Sequence, residues 1–314
     1  MSETKTEWYF IVNPRAGSGK TMSEWIPAES KLDALGIPYV TAMTDHKRHA
    51  ITIAYDAASA GYRNIVAVGG DGSVHETLNG IMKYCDETGC DTSEFLLAVA
   101  PIGSGNDWVR SLGLPSEVSR MIDIIKAGKE GSMDIIRATS SKGRITYFAN
   151  IAGIGFDSHV CARVNQEKES GKRSPSIYLQ SLLKTIASLK KIRVRVCADG
   201  AEVFNGEAYS IALGNGKYSG GGMRQVPLAR MDDGLLDYMV VPVLPAAFIL
   251  RQVPKLFNGR INEVAQLVNG QCRKLEVTPL DTESADVFEE DGEIEGRIPV
   301  TFEVTGRTIR VLKA

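Results

Sequence analysis

Residues 64–79 read NIVAVGGDGSVHETLN and constrain the fold more than any other stretch. A short run of Ile and Val stops at Gly69-Gly70-Asp71-Gly72, and a helix-like segment follows from Ser73. A short apolar run closed by glycines is the pattern of a buried strand. Ser73 is a suitable N-cap, and Glu76 three residues later completes a capping-box signature. Asp71 is thereby placed on a tight turn between the carboxyl end of a strand and the amino end of a helix. Glycines there let a ligand approach the backbone, and N–H groups at a helix amino end favour anions. A carboxylate on such a turn makes chemical sense when a divalent cation is shared with a phosphate ligand, as in magnesium-nucleotide. Taken alone, the same turn is equally an ordinary strand–helix connection.

Two more turns of this kind stand nearby. Trp8 to Val12 is a short apolar strand that runs into Asn13-Pro14-Arg15-Ala16-Gly17-Ser18-Gly19-Lys20-Thr21. This is not a Walker A loop, because Pro14 occupies the position of the first glycine and has no N–H to offer. The strand Glu94 to Ala100 enters Pro101-Ile102-Gly103-Ser104-Gly105-Asn106-Asp107-Trp108. That turn is not a dinucleotide fingerprint either, since Trp108 stands where the third glycine belongs. Between these units, a helix is expected over Met22 to Leu35 and a strand over Pro38 to Met43 with Thr44 at its end. A second helix is expected from Ala50 to about Ala60, and the one after Ser73 is expected to reach about Tyr84. His46-Lys47-Arg48-His49 reads as a solvated loop. Repeated strand–turn–helix units describe an open α/β sheet, whose ligands bind outside the carboxyl ends of its strands.

Near Met133-Asp134-Ile135 the texture changes to short β-like runs bounded by Gly, Asn and Asp. These are Arg144–Asn150, Ile192–Cys197, Glu207–Leu213, Leu235–Val241, Arg273–Thr278 and Ile298–Val304. One helix interrupts them, about Ser176 to Leu189, and Asn165 to Ser174 reads as a charged loop. The pattern predicts an antiparallel sandwich or barrel. The expected domains are 1–134 and 135–304, with 305–314 able to complete the first. Arg230-Met231-Asp232-Asp233-Gly234-Leu235 is an acidic turn that either forms a plain bend or ligates a hard cation. Phe288-Glu289-Glu290-Asp291-Gly292-Glu293 is an acidic hairpin turn. It is either a plain solvated turn, as Asp-Gly commonly makes, or a crowded group of like charges whose raised carboxylate pKa suits a general base. Lys184, Lys190, Lys191, Arg193 and Arg195 form either a solvated face or a surface for anionic lipid head groups.

Composition excludes several classes. The net charge of −2 over 314 residues argues against a dedicated nucleic-acid binder. No apolar run is long enough to span a bilayer; Met239 to Leu250 is broken by Pro242 and Pro245. The opening MSETKTEWYF has no secretory pattern. Five cysteines without CxxC spacing are expected to be reduced, buried thiols in a cytoplasmic protein. The four histidines show no metal-ligand spacing.

The motifs NPRAGSGK, VAVGGDGSVHETLNGI, PIGSGNDWVRSLGLP, YFANIAGIGFD, MDDGLLD and EEDGE, in this order, resemble the diacylglycerol kinase catalytic-domain family. The chain looks most similar to its soluble bacterial lipid kinases, relatives of sphingosine kinases. The resemblance covers nearly the whole chain. It implies an N-terminal α/β nucleotide-binding domain, similar to NAD kinase and phosphofructokinase, followed by a β-rich sandwich domain. It also implies ATP-dependent phosphorylation of a lipid hydroxyl such as that of diacylglycerol. A sphingoid base, ceramide or a soluble substrate such as NAD are the alternatives. By this resemblance Asn13, Gly17, Thr44, Gly70, Asp71, Gly72, Ser73, Ser104 and Asn106 bind ATP, with Asp71 close to Mg2+. Asp134 matches an acidic position linked to Mg2+, and Glu293 matches the general base, assisted by Asp71. Asp233, with the carbonyls of Arg230 and Leu235, matches a structural Mg2+ site. Ser73 and Ser104 stand where Thr is common, and His46 to His49 replace a Gly-containing stretch. The implied setting is the cytoplasm, with peripheral contact to a membrane surface, no nucleic acid, and homodimer formation left open.

Overall fold

The structure is a computed structural model and describes residues 4–103, 105–169 and 190–314. The chain divides into two compact units, Met1–Ile135 with Gly306–Ala314, and Ile136–Thr305.

In the first unit, β1 (Lys5–Val12), β2 (Tyr39–Met43), β3 (Tyr62–Gly69) and β4 (Leu96–Pro101) run parallel in the order β2-β1-β3-β4. Arg310 and Val311, near the end of the last strand of the chain, pair parallel with Leu96 and Leu97 of β4. Helices α1 (Thr21–Ala34), α2 (His49–Ser59), α3 (Asp71–Thr88), α4 (Asp107–Ser111) and α5 (Val118–Ala127) cover this sheet. Strands buried on both faces read as continuous apolar runs. Accordingly Phe10 to Val12, Ile65 to Val68 and Leu96 to Ala100 are all buried. Trp25 of α1 is fully buried and packs on Phe10 with ring centroids 5.0 Å apart.

The second unit is mainly antiparallel. Its strands are β5 (Glu130–Ser140, which starts in the first unit), β6 (Ile145–Phe148), β7 (Ile151–Gly155), β8 (Ile192–Ala198), β9 (Ala201–Gly214), β10 (Tyr218–Ser219) and β11 (Met223–Arg224). Then follow β12 (Leu236–Pro242), β13 (Val268–Cys272), β14 (Lys274–Pro279), β15 (Val287–Glu290), β16 (Glu293–Arg297) and β17 (Val300–Leu312). The long strand β9 is shared by β8, β7 and β12 along its length. In β8 the side chains alternate, with Ile192, Val194, Val196 and Ala198 inward and Arg193 and Arg195 outward. Together with Ile211, Leu213, Leu275, Val277, Phe288 and Phe302 the inward set forms the core.

Several expectations are corrected. α3 starts at Asp71 with Gly70 as its N-cap, so Ser73 lies inside the helix and makes no capping box. Glu76 instead accepts the N–H groups of Arg48 (3.0 Å) and Ala50 (3.3 Å). α3 continues past Tyr84 to Thr88 because its apolar face, including Met82 and Cys85, stays buried. Residues 165–169, expected in a loop, end the helix α6 (Phe156–Glu169). Residues 170–174 and the helix expected over 176–189 lie outside the described residues. A further helix, Ala246–Asn258, begins directly after Pro245, where the apolar run had been read only as interrupted. Cys90 and Cys197 are partly exposed, whereas Cys85, Cys161 and Cys272 are buried; all five are free thiols. Burial pushes the thiols of Cys85 and Cys272 up to about 12, which leaves them unreactive.

Gly80 marks where α3 crosses α2. A Cβ there would lie 2.3 Å from the Ile51 carbonyl oxygen and 2.7 Å from the Ala54 Cβ. In an exposed helix, Gly→Ala stabilises by about 1 kcal/mol. Overlap with backbone in a packed core costs about 1–3 kcal/mol. Gly80→Ala is therefore expected to lower the urea midpoint, by about 1 kcal/mol of stability. An equal or higher midpoint would mean that α2 moves away at no cost.

Candidate active site

The carboxyl ends of the parallel strands carry the three glycine turns predicted from sequence. Asn13 follows β1; its N–H donates to the Val68 carbonyl (3.0 Å) and its Oδ1 accepts from Arg15 N (3.0 Å). Its Nδ2 is 3.5 Å from Ser73 Oγ, which links the first turn to the start of α3. Gly17 has φ +54°, and a Cβ there would meet Ile102 at 2.8 Å. The 69–73 turn touches the 102–106 turn through backbone. Ile102 N donates to Gly69 O (2.8 Å), and a Cβ on Gly103 would lie 2.6 Å from Gly70 Cα. Glycine is required at Gly17 and Gly103 for these approaches.

Asp71 is the first residue of α3, and its Oδ1 accepts the backbone N–H of Trp108 at 2.9 Å. One of the otherwise unbonded donors at the start of α4 is satisfied in this way. Asn106, at φ +52°, brings its Oδ1 into the same region. That oxygen is buried and has no hydrogen-bond partner in the structure, so it calls for a donor from a bound molecule or water. Thr44 is buried at the end of β2, its N–H held by Val12 O at 2.9 Å. Asp134 is buried on β5, next to Met133, whose sulfur accepts the Trp108 indole N–H at 3.3 Å. Gly70, Gly72 and Ser73 sit at the entry to α3. Ser104 lies outside the described residues. Asn13, Gly17, Gly70, Asp71, Ser73 and Asn106 are thus brought together, with Thr44 at the end of the neighbouring strand. Carboxylate and amide oxygens beside a helix amino end fit a magnesium-nucleotide.

The second unit holds an acidic group of its own. The hairpin β15–β16 pairs Glu290 with Glu293 and turns at Asp291, φ +50°, and Gly292. Asp291 accepts the N–H groups of Ala149 (2.9 Å), Asn150 (3.0 Å) and Ile151 (3.1 Å), so the hairpin tip is fixed to the β6–β7 connection. Glu293 is partly exposed beyond this tip. Two carboxyls that the sequence reading did not single out lie deeper, Asp157 and Glu289. A Cβ on Gly153 would be 2.7 Å from Asp157 Cβ and 2.9 Å from Glu289 Oε1. Burial, with Asp157, Asp291 and Glu290 nearby, pushes the Glu289 carboxyl well above its ordinary value, against the Gly292 N–H that it accepts at 2.9 Å. Burial also raises Asp157, against donors from Ser210 Oγ and Gln225 Nε2 (2.6 Å). Strand alternation gives no signal for Glu289, because Glu289 and Glu290 are both buried and the register shifts just before Glu289.

In the turn after Arg230, Asp233 Oδ1 accepts Leu235 N (3.1 Å) around Gly234, φ +72°. Asp237 is buried close by, and burial together with Asp233 raises its carboxyl against the Gln271 amide. An all-oxygen set made of Asp233 and turn carbonyls suits Mg2+.

Glu289 makes stability depend on pH. Its folded pKa lies above the unfolded value of about 4.3, so the native chain keeps a proton that the unfolded chain releases. That contribution is complete below the unfolded pKa and is lost as pH rises through the folded one. Glu289→Gln keeps the neutral shape and is expected to raise Tm by at least about 2 °C at pH 8, with no gain near pH 4. A gain of the same size at both pH values would show that ionisation is not its source.

Comparison with known proteins agrees with this layout. Residues 7–138 match the sequence profile described as "Diacylglycerol kinase catalytic domain", and residues 150–313 match "YegS C-terminal NAD kinase beta sandwich-like domain". A diacylglycerol kinase of Mycobacterium tuberculosis (strain ATCC 25618 / H37Rv) is 25% identical over 304 residues, covering 96% of this chain and 94% of its own. The crystal structure of a diacylglycerol kinase from Bacillus anthracis str. Sterne shares the fold, with a TM-score of 0.75 at 24% identity over 99% of both chains. Yeast NADH kinase complexed with NADH is a more distant fold relative, with a TM-score of 0.51 at 10% identity over 98% of this chain and 83% of its own. Matched in both halves and in order, the chain belongs to the family of bacterial lipid kinases that join a diacylglycerol kinase catalytic domain to a YegS-type β-sandwich domain.

Proposed function

We propose that this protein is an ATP-dependent lipid kinase that transfers the γ-phosphate to a lipid hydroxyl, with diacylglycerol as the first candidate. The observation that carries the reading is Asp71 on the first residue of α3, within a glycine turn packed against the 102–106 turn. Helix amino ends and glycine turns bind phosphate, and the Asp71 carboxylate would share Mg2+ with it. Asn13, Gly17, Thr44, Gly70, Gly72, Ser73, Ser104 and Asn106 would hold ATP, and Asp134 a second Mg2+ contact through water. Magnesium supplies charge neutralisation on the phosphates when bound. The chain's own work is to orient the phosphates and to accept the hydroxyl proton, a role we assign to Glu293. Asp71 has one carboxylate oxygen committed to Trp108 N, which fits an orienting role in assistance of the base. Asp233 and the carbonyls of Arg230 and Leu235 would hold a structural Mg2+.

Membrane contact is the second part of the reading. Lys191 and Arg193 are paired with Glu207 (2.8 Å) and Asp281 (3.4 Å), and Lys184 lies outside the described residues, so a basic patch there is weakened. The helix Ala246–Asn258 is the stronger candidate. Phe248 and Leu256 pack inward, while Leu250 and Phe257 are 45% and 47% exposed, on a face shared with Pro254 and flanked by Arg251. An exposed apolar stripe beside a cation is the pattern of an interfacial helix. Among the described residues no helix is long and apolar enough to cross a membrane.

Transfer from γ-labelled ATP to diacylglycerol, a sphingoid base and ceramide in mixed micelles, with NAD as a soluble acceptor, tests the activity. One labelled lipid is expected, with Glu293→Gln slower by a factor on the order of 10² or more. Label on NAD alone would overturn the lipid assignment, and near wild-type turnover in the variant would remove Glu293 from proton transfer. The double variant Leu250→Glu with Phe257→Glu is expected to bind anionic vesicles about tenfold more weakly. Unchanged co-sedimentation with vesicles would place the membrane contact elsewhere on the protein.

A further inference from the structure

Asp45, His46 and His49 stand in a loop that the sequence reads as merely solvated, yet the fold gathers them. One ligand atom of each lies within 4.8 Å of the other two. Nδ1 of His49 is 2.8 Å from Asp45 Oδ1, and Nδ1 of His46 contacts the same carboxylate oxygen. The two rings stack, with centroids 4.4 Å apart and planes 15° from parallel. Both imidazoles therefore direct the same nitrogen toward one carboxylate.

The backbone holds this arrangement from both sides. Ahead of it, Thr44 N–H is tied to Val12 O at 2.9 Å, which anchors the loop to the end of the sheet. At Arg48 the chain passes through the left-handed region, φ +67°, a conformation that non-glycine residues seldom take. His49 then becomes the first residue of α2 and comes alongside His46. The Glu76 carboxylate fastens the bend through the N–H groups of Arg48 and Ala50. Asp45 N–H lies 3.2 Å from His49 Nδ1, which is also the nitrogen in contact with the Asp45 carboxylate, so that nitrogen faces the cluster.

Two neutral imidazole nitrogens and a carboxylate oxygen are the donor set of Zn2+, Ni2+ and Co2+. Mg2+ and Ca2+ prefer oxygen-only sites. With bonds of about 2.0–2.1 Å, tetrahedral zinc separates its ligand atoms by roughly 3.3 Å. The His49–Asp45 pair at 2.8 Å needs only a small opening, and the His46 side chain is 66% exposed and can turn outward to provide it. We propose that Asp45, His46 and His49 bind one divalent transition-metal ion of the zinc class, with water completing its coordination. On binding, the metal would replace the hydrogen bonds that Asp45 makes with the two imidazoles, and each ring would carry its proton on Nε2. This inference is independent of the kinase reading.

Calorimetric titration of the full chain with Zn2+, and separately with Ni2+, reads the site without any assay of activity. One ion per chain is expected, with a dissociation constant below about 100 µM. His46→Ala, His49→Ala and Asp45→Asn should each weaken binding at least tenfold. All three side chains lie on the surface or at a helix start, and far-UV circular dichroism should confirm that the variants are folded. The chain has four histidines, so their ring signals can be followed one by one in proton NMR. Zn2+ should shift those of His46 and His49 and leave those of His75 and His159 in place. Absence of binding up to millimolar Zn2+ would overturn the proposal. So would binding that survives both histidine variants, which would place the ion on other ligands such as the partly exposed thiols of Cys90 and Cys197.

Discussion

Backbone-to-backbone contact between glycine turns is the constraint on which the first unit depends. Gly103 meets the Gly70 Cα where a Cβ would be 2.6 Å away, and Gly17 meets Ile102 at 2.8 Å. Side chains at either glycine would push the turns apart by more than a packed interior tolerates. Because the turns touch, the side chains they carry converge. Asn13 reaches Ser73, Asp71 reaches the N–H of Trp108, and Asn106 Oδ1 is enclosed without a partner. Parallel strands and helix amino ends supply the frame, and the missing side chains supply the space.

The second unit reaches order by other means. Its core comes from alternation along antiparallel strands, and it contains an unusually costly group of buried carboxyls. Asp291 is compensated by three backbone donors, as a buried charge must be. Glu289 is held in its neutral form first by burial and then by the like charges around it, against the one backbone donor it accepts. Carboxyls only a few residues apart in one hairpin thus differ in the backbone donors they accept. Glu293, just past the tip that Asp291 fixes, is partly exposed.

Much of this was legible in the chain. The turns at Gly17, Asp71 and Gly103, the parallel α/β character of the first half and six strand runs of the second are written in short-range chemistry. Apolar runs end in glycine, and strand periodicity persists over a few residues. The helix Ala246–Asn258 was obscured because Pro242 and Pro245 interrupt the apolar run just before it, although Phe248, Val253 and Leu256 lie at helical spacing. The capping reading of Ser73 failed because Gly70 already serves as N-cap. Glu76 was then drawn to the bend at Arg48 instead.

By itself the sequence determined the parallel α/β character of the first half, the β-rich character of the second and the residue types at the glycine turns. These follow from local backbone preferences and from the periods of helix and strand. Only the tertiary structure decided which distant groups become neighbours. Asp157 and Glu289 meet at Gly153 because β15 sets Glu289 opposite Gly153 and α6 begins directly after β7 with Asp157 in its first turn. Asp45, His46 and His49 form a cluster because Arg48 takes a left-handed turn that Glu76, from α3, holds in place. Local chemistry names the groups; long-range pairing sets their distances and their exposure to water, and these in turn set charge state and ligand affinity.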